Sequence, residues 1–345
     1  MATPSDPVSS ALPRAVFLDA LSLGSVDLTP LQAWCDLTCW PATRPEQRLE
    51  RLVGAEIAIT NKIVLDGPLL EQLPELRLIC TASTGTDQLD LASCRRLGVR
   101  VQNAGRYSNA SVVQITWALI LELCCRIQAR RERISAGDWQ RSSVFSLIEP
   151  DFDELTGRTL VVLGAGTIGR GVLAVGESLG MRVIGLTSRH SEAELEQALR
   201  QADVLSLHAP LTPRTAGLLN AERLGWLPPG ALVVNAGRGA LIDLAALAEA
   251  LRSGHLAGAA LDVLPQEPPG PELEALLQLP NLLITPHMAW SSRQARGGWW
   301  TPWPPMSAAT PPSVRADQAP PPPPAAAASG GRPGPPPRRA GPPGR

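Results

Sequence analysis

Short apolar runs recur along the chain, separated by segments whose apolar spacing is helical. The first set comprises AVFLDA (15–20), EIAIT (56–60), LRLIC (76–80) and VRVQNA (99–104). The second set is more regular: TLVVLGAG (159–166), RVIGLTS (182–188), DVLSLHAP (203–210), ALVVNAGRG (231–239), GAALDVL (258–264) and NLLITPH (281–287). Runs of this kind suit parallel strands buried on both faces, and strands alternating with helices predict an α/β fold. The second set has enough strands for a complete doubly wound sheet. Between the sets, residues 108–139 open with Ser and Asn at cap positions and close near Gly137, which predicts one long helix that packs in the core and between domains or subunits.

The pattern is lost after Arg296. Residues 297–345 carry the run Pro320 to Pro324, many Ala, Gly and Arg residues, and Asp317 as their only acid. Such a segment cannot bury enough apolar surface to offset its ordering entropy, so a disordered or partly polyproline tail is predicted. Residues 1–14 read as a disordered extension.

VVLGAGTIGRGV puts Gly164, Gly166 and Gly169 in G-x-G-x-x-G register, straight after a strand and at the start of a helix. The first glycine permits a tight turn, the second lets the backbone approach a pyrophosphate, and the third allows close helix–strand packing. The helix N-terminus adds amide donors and a favourable dipole, so dinucleotide binding is expected. An acid at the end of the second strand would mark NAD by bonding the ribose 2′-hydroxyl. Here that strand ends in Thr187, Ser188 and Arg189, with no acid before Glu192. A guanidinium and a hydroxyl can bind a 2′-phosphate that a carboxylate would repel, which favours NADP over NAD.

Three polar residues fall at the C-terminal ends of strands, where a doubly wound sheet binds its ligands: Arg238, Glu267 and His287. Each alone has a structural explanation. Together they suit hydride transfer to a 2-keto acid, which needs a cation for the carboxylate, an acid for the carbonyl oxygen, and a group that keeps that acid protonated.

The sequence also resembles the D-isomer-specific 2-hydroxyacid dehydrogenases, especially their glycerate dehydrogenase (hydroxypyruvate reductase) branch. The resemblance rests on ASTGTDQLDL (82–91), YSNASVVQITWALIL (107–121), GAGTIGR (164–170), HAPLTPRTAGLLN (208–220), VVNAGRGALID (233–243), HLAGAALDVLPQEP (255–268) and ITPHMAWSSRQAR (284–296). It implies that Arg238 binds the substrate carboxylate and carbonyl, His287 donates the proton in reduction, and Glu267 favours the charged imidazole. Ser83, Thr84 and Gly85 match a loop whose amides cradle the carboxylate, and Trp290 matches a pocket-lining residue. For the cofactor, the resemblance assigns Thr167 and Ile168 to the pyrophosphate and His208, Ala209 and Pro210 to the adenosine side. Ala236 and Gly237 fall on the nicotinamide side, and Asp262 meets the nicotinamide amide or ribose or else orders a turn.

The implied fold is a Rossmann cofactor domain (107–287) inserted into a flavodoxin-like substrate domain (15–106), completed by a return helix that starts at 288–296. The family commonly forms homodimers. GGWWTPWPP cannot continue that helix, because glycine and proline remove propensity and donors. Arg is almost the only basic residue, Lys62 being the sole lysine, and a GC-rich gene translated out of frame yields such a tail. A frameshift replacing the final helix is therefore expected, with a lineage-specific disordered tail as the rival.

The remaining features exclude more than they assign. A formal charge of −1 offers no field for nucleic acid, and no run approaches the roughly 18 apolar residues of a membrane span. The N-terminus lacks a basic segment followed by an apolar one, so a cytoplasmic protein is expected. Six scattered cysteines, without C-x-x-C pairs, read as reduced thiols, and no metal is expected. A nucleotide-sensing corepressor-like binding protein and a damaged pseudoenzyme share these motifs and stand as alternatives.

Overall fold

The first five strands, β1 (Arg14–Phe17), β2 (Asp36–Cys39), β3 (Ile57–Thr60), β4 (Leu78–Thr81) and β5 (Arg100–Asn103), form a parallel sheet in the order β2-β1-β3-β4-β5. This is a computed structural model, and it describes residues 12–300. A second parallel sheet contains β6 (Thr159–Leu163), β7 (Arg182–Leu186), β8 (Val204–Leu207), β9 (Ala231–Asn235), β10 (Leu256–Leu261) and β11 (Leu282–Ile284), ordered β11-β10-β9-β8-β6-β7. The strand order reverses between β6 and β8, which opens a ligand crevice at their C-terminal ends.

Alternation along each strand divides the core. Val161 and Leu163 face one hydrophobic cluster with Leu205, Leu207 and Val233, whereas Leu160 and Val162 face another with Trp117 and Ile120. In the first sheet, Val16 and Leu18 face one side while Ala15 and Phe17 face the other. Both sheets are therefore covered on two faces, as their apolar runs require.

Three features differ from the sequence reading. Strand β2 is new: DLTC is mostly exposed at the sheet edge, so it carries no apolar run to reveal it. The segment 108–139 is two helices rather than one, α1 (Asn109–Cys125) and α2 (Ile127–Ser135), bent by 57°. Arg126 between them has φ 51°, and its amide closes on Glu122 O at 2.8 Å, a left-handed C-cap. The Glu122 carboxylate then accepts from Gln128 N at 3.0 Å and starts the next helix.

The third difference lies at the C-terminal end. Helix α3, Arg293–Gly298, runs past the expected boundary at Arg296, with Ser292 capping it through Ala295 N. Trp299 follows and is fully buried in the first sheet's core, its ring centroid 5.8 Å from that of Phe17. The glycines are tolerated because they fall in the last turn, where a helix is stopping anyway, and burial of the indole supplies the driving force. Arg14, expected in the N-terminal extension, opens β1 instead, and the extension before residue 12 and the tail after residue 300 lie outside the described residues. Among the described residues, no single helix is long and apolar enough to cross a membrane, and no cluster of metal-ligating side chains occurs.

Candidate active site

The glycine motif forms a tight cradle between β6 and the 12-residue helix Thr167–Ser178. Gly164 has φ +97°, and a Cβ there would meet the His208–Ala209 peptide at 2.5 Å. A Cβ on Gly169 would approach Gly164 O at 2.3 Å, so both positions exclude any other residue. At Gly166, which caps the helix, nothing lies within 4 Å of such an atom. That open space sits beside the unpaired first-turn amides, including those of Thr167 and Ile168, and fits a pyrophosphate.

His208, at the end of β8, forms the opposite lip. Its Nε2 lies 2.9 Å from Ser206 Oγ, while Nδ1 is buried without a partner among the described residues. Burial pushes the imidazole pKa down to about 4, so it is neutral near pH 7. Ala209, Pro210, Ala236 and Gly237 border the same crevice. A Cβ on Gly237 would sit tightly, 3.1 Å from Leu207 O.

His287 follows β11 with φ 51°, a left-handed conformation rare for a non-glycine residue. Asp262, at the end of β10, holds it there: its Oδ1 accepts from Thr285 Oγ1 at 2.6 Å and Met288 N at 2.9 Å, its Oδ2 from Ala289 N at 2.9 Å. Asp262 O also accepts from His287 N at 2.8 Å. Asp262 is 1% exposed, and these bonds order the turn that carries His287.

The turned imidazole places Nδ1 2.5 Å from Glu267 Oε2, and Glu267 Oε1 is fixed by Leu264 N at 2.9 Å. Burial works to raise the Glu267 pKa, but the His287 hydrogen bond and charge, the Leu264 amide and Lys62 hold it below the usual range. The carboxylate is thus ionised near neutral pH and orients the imidazole with Nε2 free for chemistry.

Arg238 leaves the loop after β9, which Asn235 braces by donating to Arg238 O at 2.9 Å and accepting from Gly237 N at 3.0 Å. Its Nε donates to Asp87 Oδ2 at 2.9 Å, reaching across to the loop after β4. Gly85 lies directly against the guanidinium: a Cβ there would be 2.1 Å from Arg238 Nη2 and would push it aside. Ser83 Oγ donates to Gly85 O at 2.8 Å, Thr84 Oγ1 to Gly105 O at 2.6 Å and Asn103 Nδ2 to Thr84 O at 2.8 Å, contacts that engage the loop's carbonyls and fix its shape. Trp290 is half-buried and packs on the first sheet's core beside Tyr107, 6.4 Å between centroids.

Arg238, Glu267 and His287 thus converge on one cleft with the Ser83–Gly85 loop, while Ser188 and Arg189 lie exposed beyond β7. Sequence reasoning missed Asp87 and Asn235. Asp87 stands within the quoted motif ASTGTDQLDL, but only folding shows that it pairs with Arg238, 151 residues away. A dinucleotide cradle at the switch point, with a carboxylate-paired imidazole and an arginine at the C-terminal ends of neighbouring strands of the same doubly wound sheet, defines a nicotinamide-dependent dehydrogenase.

Comparison with known proteins makes the class specific. The family model described as D-isomer specific 2-hydroxyacid dehydrogenase, NAD binding domain, matches residues 117–289. A glycerate dehydrogenase of Methylorubrum extorquens is 38% identical over 254 residues, covering 73% of this chain and 81% of the relative. A hydroxypyruvate reductase of Blautia hydrogenotrophica is 31% identical, covering 82% and 92%. Among solved structures, a D-lactate dehydrogenase from Aquifex aeolicus complexed with NAD and lactic acid superposes with a TM-score of 0.73 at 28% identity, covering 82% of this chain and 90% of that one. The chain belongs to the D-isomer-specific 2-hydroxyacid dehydrogenase family, as an oxidoreductase that uses a nicotinamide cofactor on small 2-keto and 2-hydroxy acids.

Proposed function

We propose that the protein reduces hydroxypyruvate or glyoxylate and, in reverse, oxidises D-glycerate. The observation that carries this reading is the His287–Glu267 pair at the cleft with Arg238. The bound nicotinamide supplies or accepts the hydride. Arg238 holds the substrate carboxylate and carbonyl oxygen through its guanidinium, aided by the amides of Ser83, Thr84 and Gly85. His287 Nε2 donates its proton to the carbonyl oxygen as negative charge develops, and Glu267 stabilises the imidazolium before transfer. Any contact of Asp262 with the nicotinamide amide falls to Oδ2, the oxygen with a single hydrogen bond.

NADP(H) is the favoured cofactor. Ser188 and Arg189 are exposed beyond β7, and Glu192, the first acid after that strand, is engaged by Arg223 at 2.8 Å. No carboxylate is therefore poised to repel a 2′-phosphate.

A cytoplasmic homodimer completes the proposal. An apolar arm with Trp139, Val144, Phe145, Ile148 and Phe152 exposed follows α2, and Phe145 is 93% exposed. Five large apolar side chains exposed along one short segment suit a self-complementary interface. Light scattering of the full chain tests this, and a monomeric mass at micromolar concentration counts against it.

The enzyme reading is tested by mixing purified protein with NADPH or NADH and each small 2-keto acid and following absorbance. Oxidation of the cofactor by hydroxypyruvate or glyoxylate is expected. A corepressor-like or damaged protein would bind cofactor and oxidise none.

A further inference from the structure

The only lysine in the chain lies on this cleft and has no part in the reaction as described. Lys62 follows β3, the strand beside β4, so its loop neighbours the loop of Ser83 to Gly85. The backbone at this point is fixed. Asp19, 6% exposed, accepts from Asn61 N at 2.8 Å and Lys62 N at 2.7 Å. Asn61 O accepts from Gln88 Nε2 at 3.0 Å, tying this loop to the segment that carries Ser83 to Asp87.

The side chain itself remains open to water although protein crowds most of its sides, as happens on a cleft wall. Burial and then the Arg238 charge pull its pKa down, against Glu267, Asp87 and Asp19. Lys62 and the Ser83–Gly85 loop follow neighbouring strands at the same C-terminal edge of the first sheet, from which Asp87 meets Arg238 of the opposite sheet. Among the described residues, no ion pair or hydrogen bond engages it. An ordered loop holding an unpaired ammonium towards a substrate cleft is a binding group awaiting an acceptor.

Building on the reading of the chain as a 2-keto acid reductase, we propose that Lys62 is a specificity-determining residue whose ammonium donates to an oxygen on C3 of the substrate. Arg238 and the Ser83–Gly85 amides account for the carboxylate and carbonyl, so a further cation on the cleft wall is left for the remaining end of the molecule. The charge around it identifies the group. Lys62, Arg238 and protonated His287 are matched by Asp19, Asp87 and Glu267, and the substrate already adds a carboxylate. A dianionic phosphate on C3 would lack compensation, whereas a hydroxyl needs none. The preferred substrate is therefore a 3-hydroxylated 2-keto acid rather than one ending in hydrogen, methyl or phosphate.

The test compares the full chain with Lys62→Met and Lys62→Arg, each first checked for an unchanged melting curve. For each, kcat and KM are measured with hydroxypyruvate, glyoxylate, pyruvate and phosphohydroxypyruvate. Dissociation constants for D-glycerate and glycolate are read by calorimetry with oxidised cofactor present. In Lys62→Met the ratio of kcat/KM for hydroxypyruvate to that for glyoxylate should fall about tenfold or more, mainly through KM, with partial recovery in Lys62→Arg. An unchanged ratio in Lys62→Met overturns the proposal, as does a parent protein that prefers phosphohydroxypyruvate. If the parent turns over no 2-keto acid, the functional reading fails by itself. The calorimetric ratio of D-glycerate to glycolate then decides the Lys62 contact, and equal ratios in parent and Lys62→Met refute it.

Discussion

Residues 159–284 supply every strand of the six-stranded sheet in one stretch of chain, whereas the five-stranded sheet takes its strands from 14–103 and a core residue from Trp299. Both sheets are parallel and buried on two faces. They differ in how they are closed. The cofactor side carries its main ligand motif within Gly164–Gly169, on one turn that glycine sterics alone enforce. The substrate side lends Ser83, Gly85 and Asp87 to a cleft whose Arg238, Glu267 and His287 come from the other sheet. Cofactor binding is thus a property of one contiguous segment, and turnover is a property of the assembled pair.

The sharpest way to separate the two is at His287. His287→Gln should lower kcat roughly 10²–10⁴-fold while leaving cofactor affinity, read by fluorescence titration, close to the parent. Parallel loss of cofactor affinity would mean that the two sides are not separable. Trp299→Ala attacks the other half: removing a fully buried indole should cost about 3–5 kcal/mol in a urea or thermal melt. Cofactor binding should survive conditions in which substrate binding is lost. An unchanged melt would show that the first sheet does not lean on its return segment.

The next effect is a pH dependence on the cofactor side. The His208 pKa is lowered from 6.5 to about 4, so between those values the unfolded chain binds more protons than the folded one. Stability should fall by up to about 3 kcal/mol as pH drops from 6.5 towards 4, with no further loss from this group below that. His208→Gln should flatten that part of the melting profile, and an identical profile would remove His208 as the cause. The smallest effect concerns the cofactor's 2′ position: Arg189→Ala should reduce the preference for NADPH over NADH about tenfold in kcat/KM. A constant ratio would leave the absence of an acid beyond β7 without consequence for NADP.

Much of this was legible along the chain where structure is local. The apolar runs marked every strand except β2, and that exception is instructive. An edge strand exposed on most of its residues is held by backbone hydrogen bonds to β1, which leave no trace in side-chain hydrophobicity. The helix break at Arg126 was missed for a related reason: a left-handed cap is ordinarily glycine, and an arginine there gives no warning. In the site, residue types at strand ends pointed to Arg238, Glu267 and His287. Asp87 could not be found this way, because an acid in a loop is unremarkable until its partner is known.

The segment after Arg296 marks the same division. Two glycines and a run of tryptophan and proline indicate a chain leaving its helix, and composition gives no reason to place a large residue in a core. Folding brings α3 back to the first sheet, and Trp299 packs beside Phe17 in its core. The sequence by itself determined the two sheets, the glycine cradle and the three chemical groups at strand ends, since these rest on backbone sterics and short-range periodicity. Tertiary structure alone decided the Asp87–Arg238 pair, the clamp of Asp262 on the His287 loop, the place of the Lys62 loop beside the substrate loop and the burial of Trp299. Each depends on elements that only folding brings together, within one sheet for Asp262 and Trp299 and across both sheets for the Asp87–Arg238 pair.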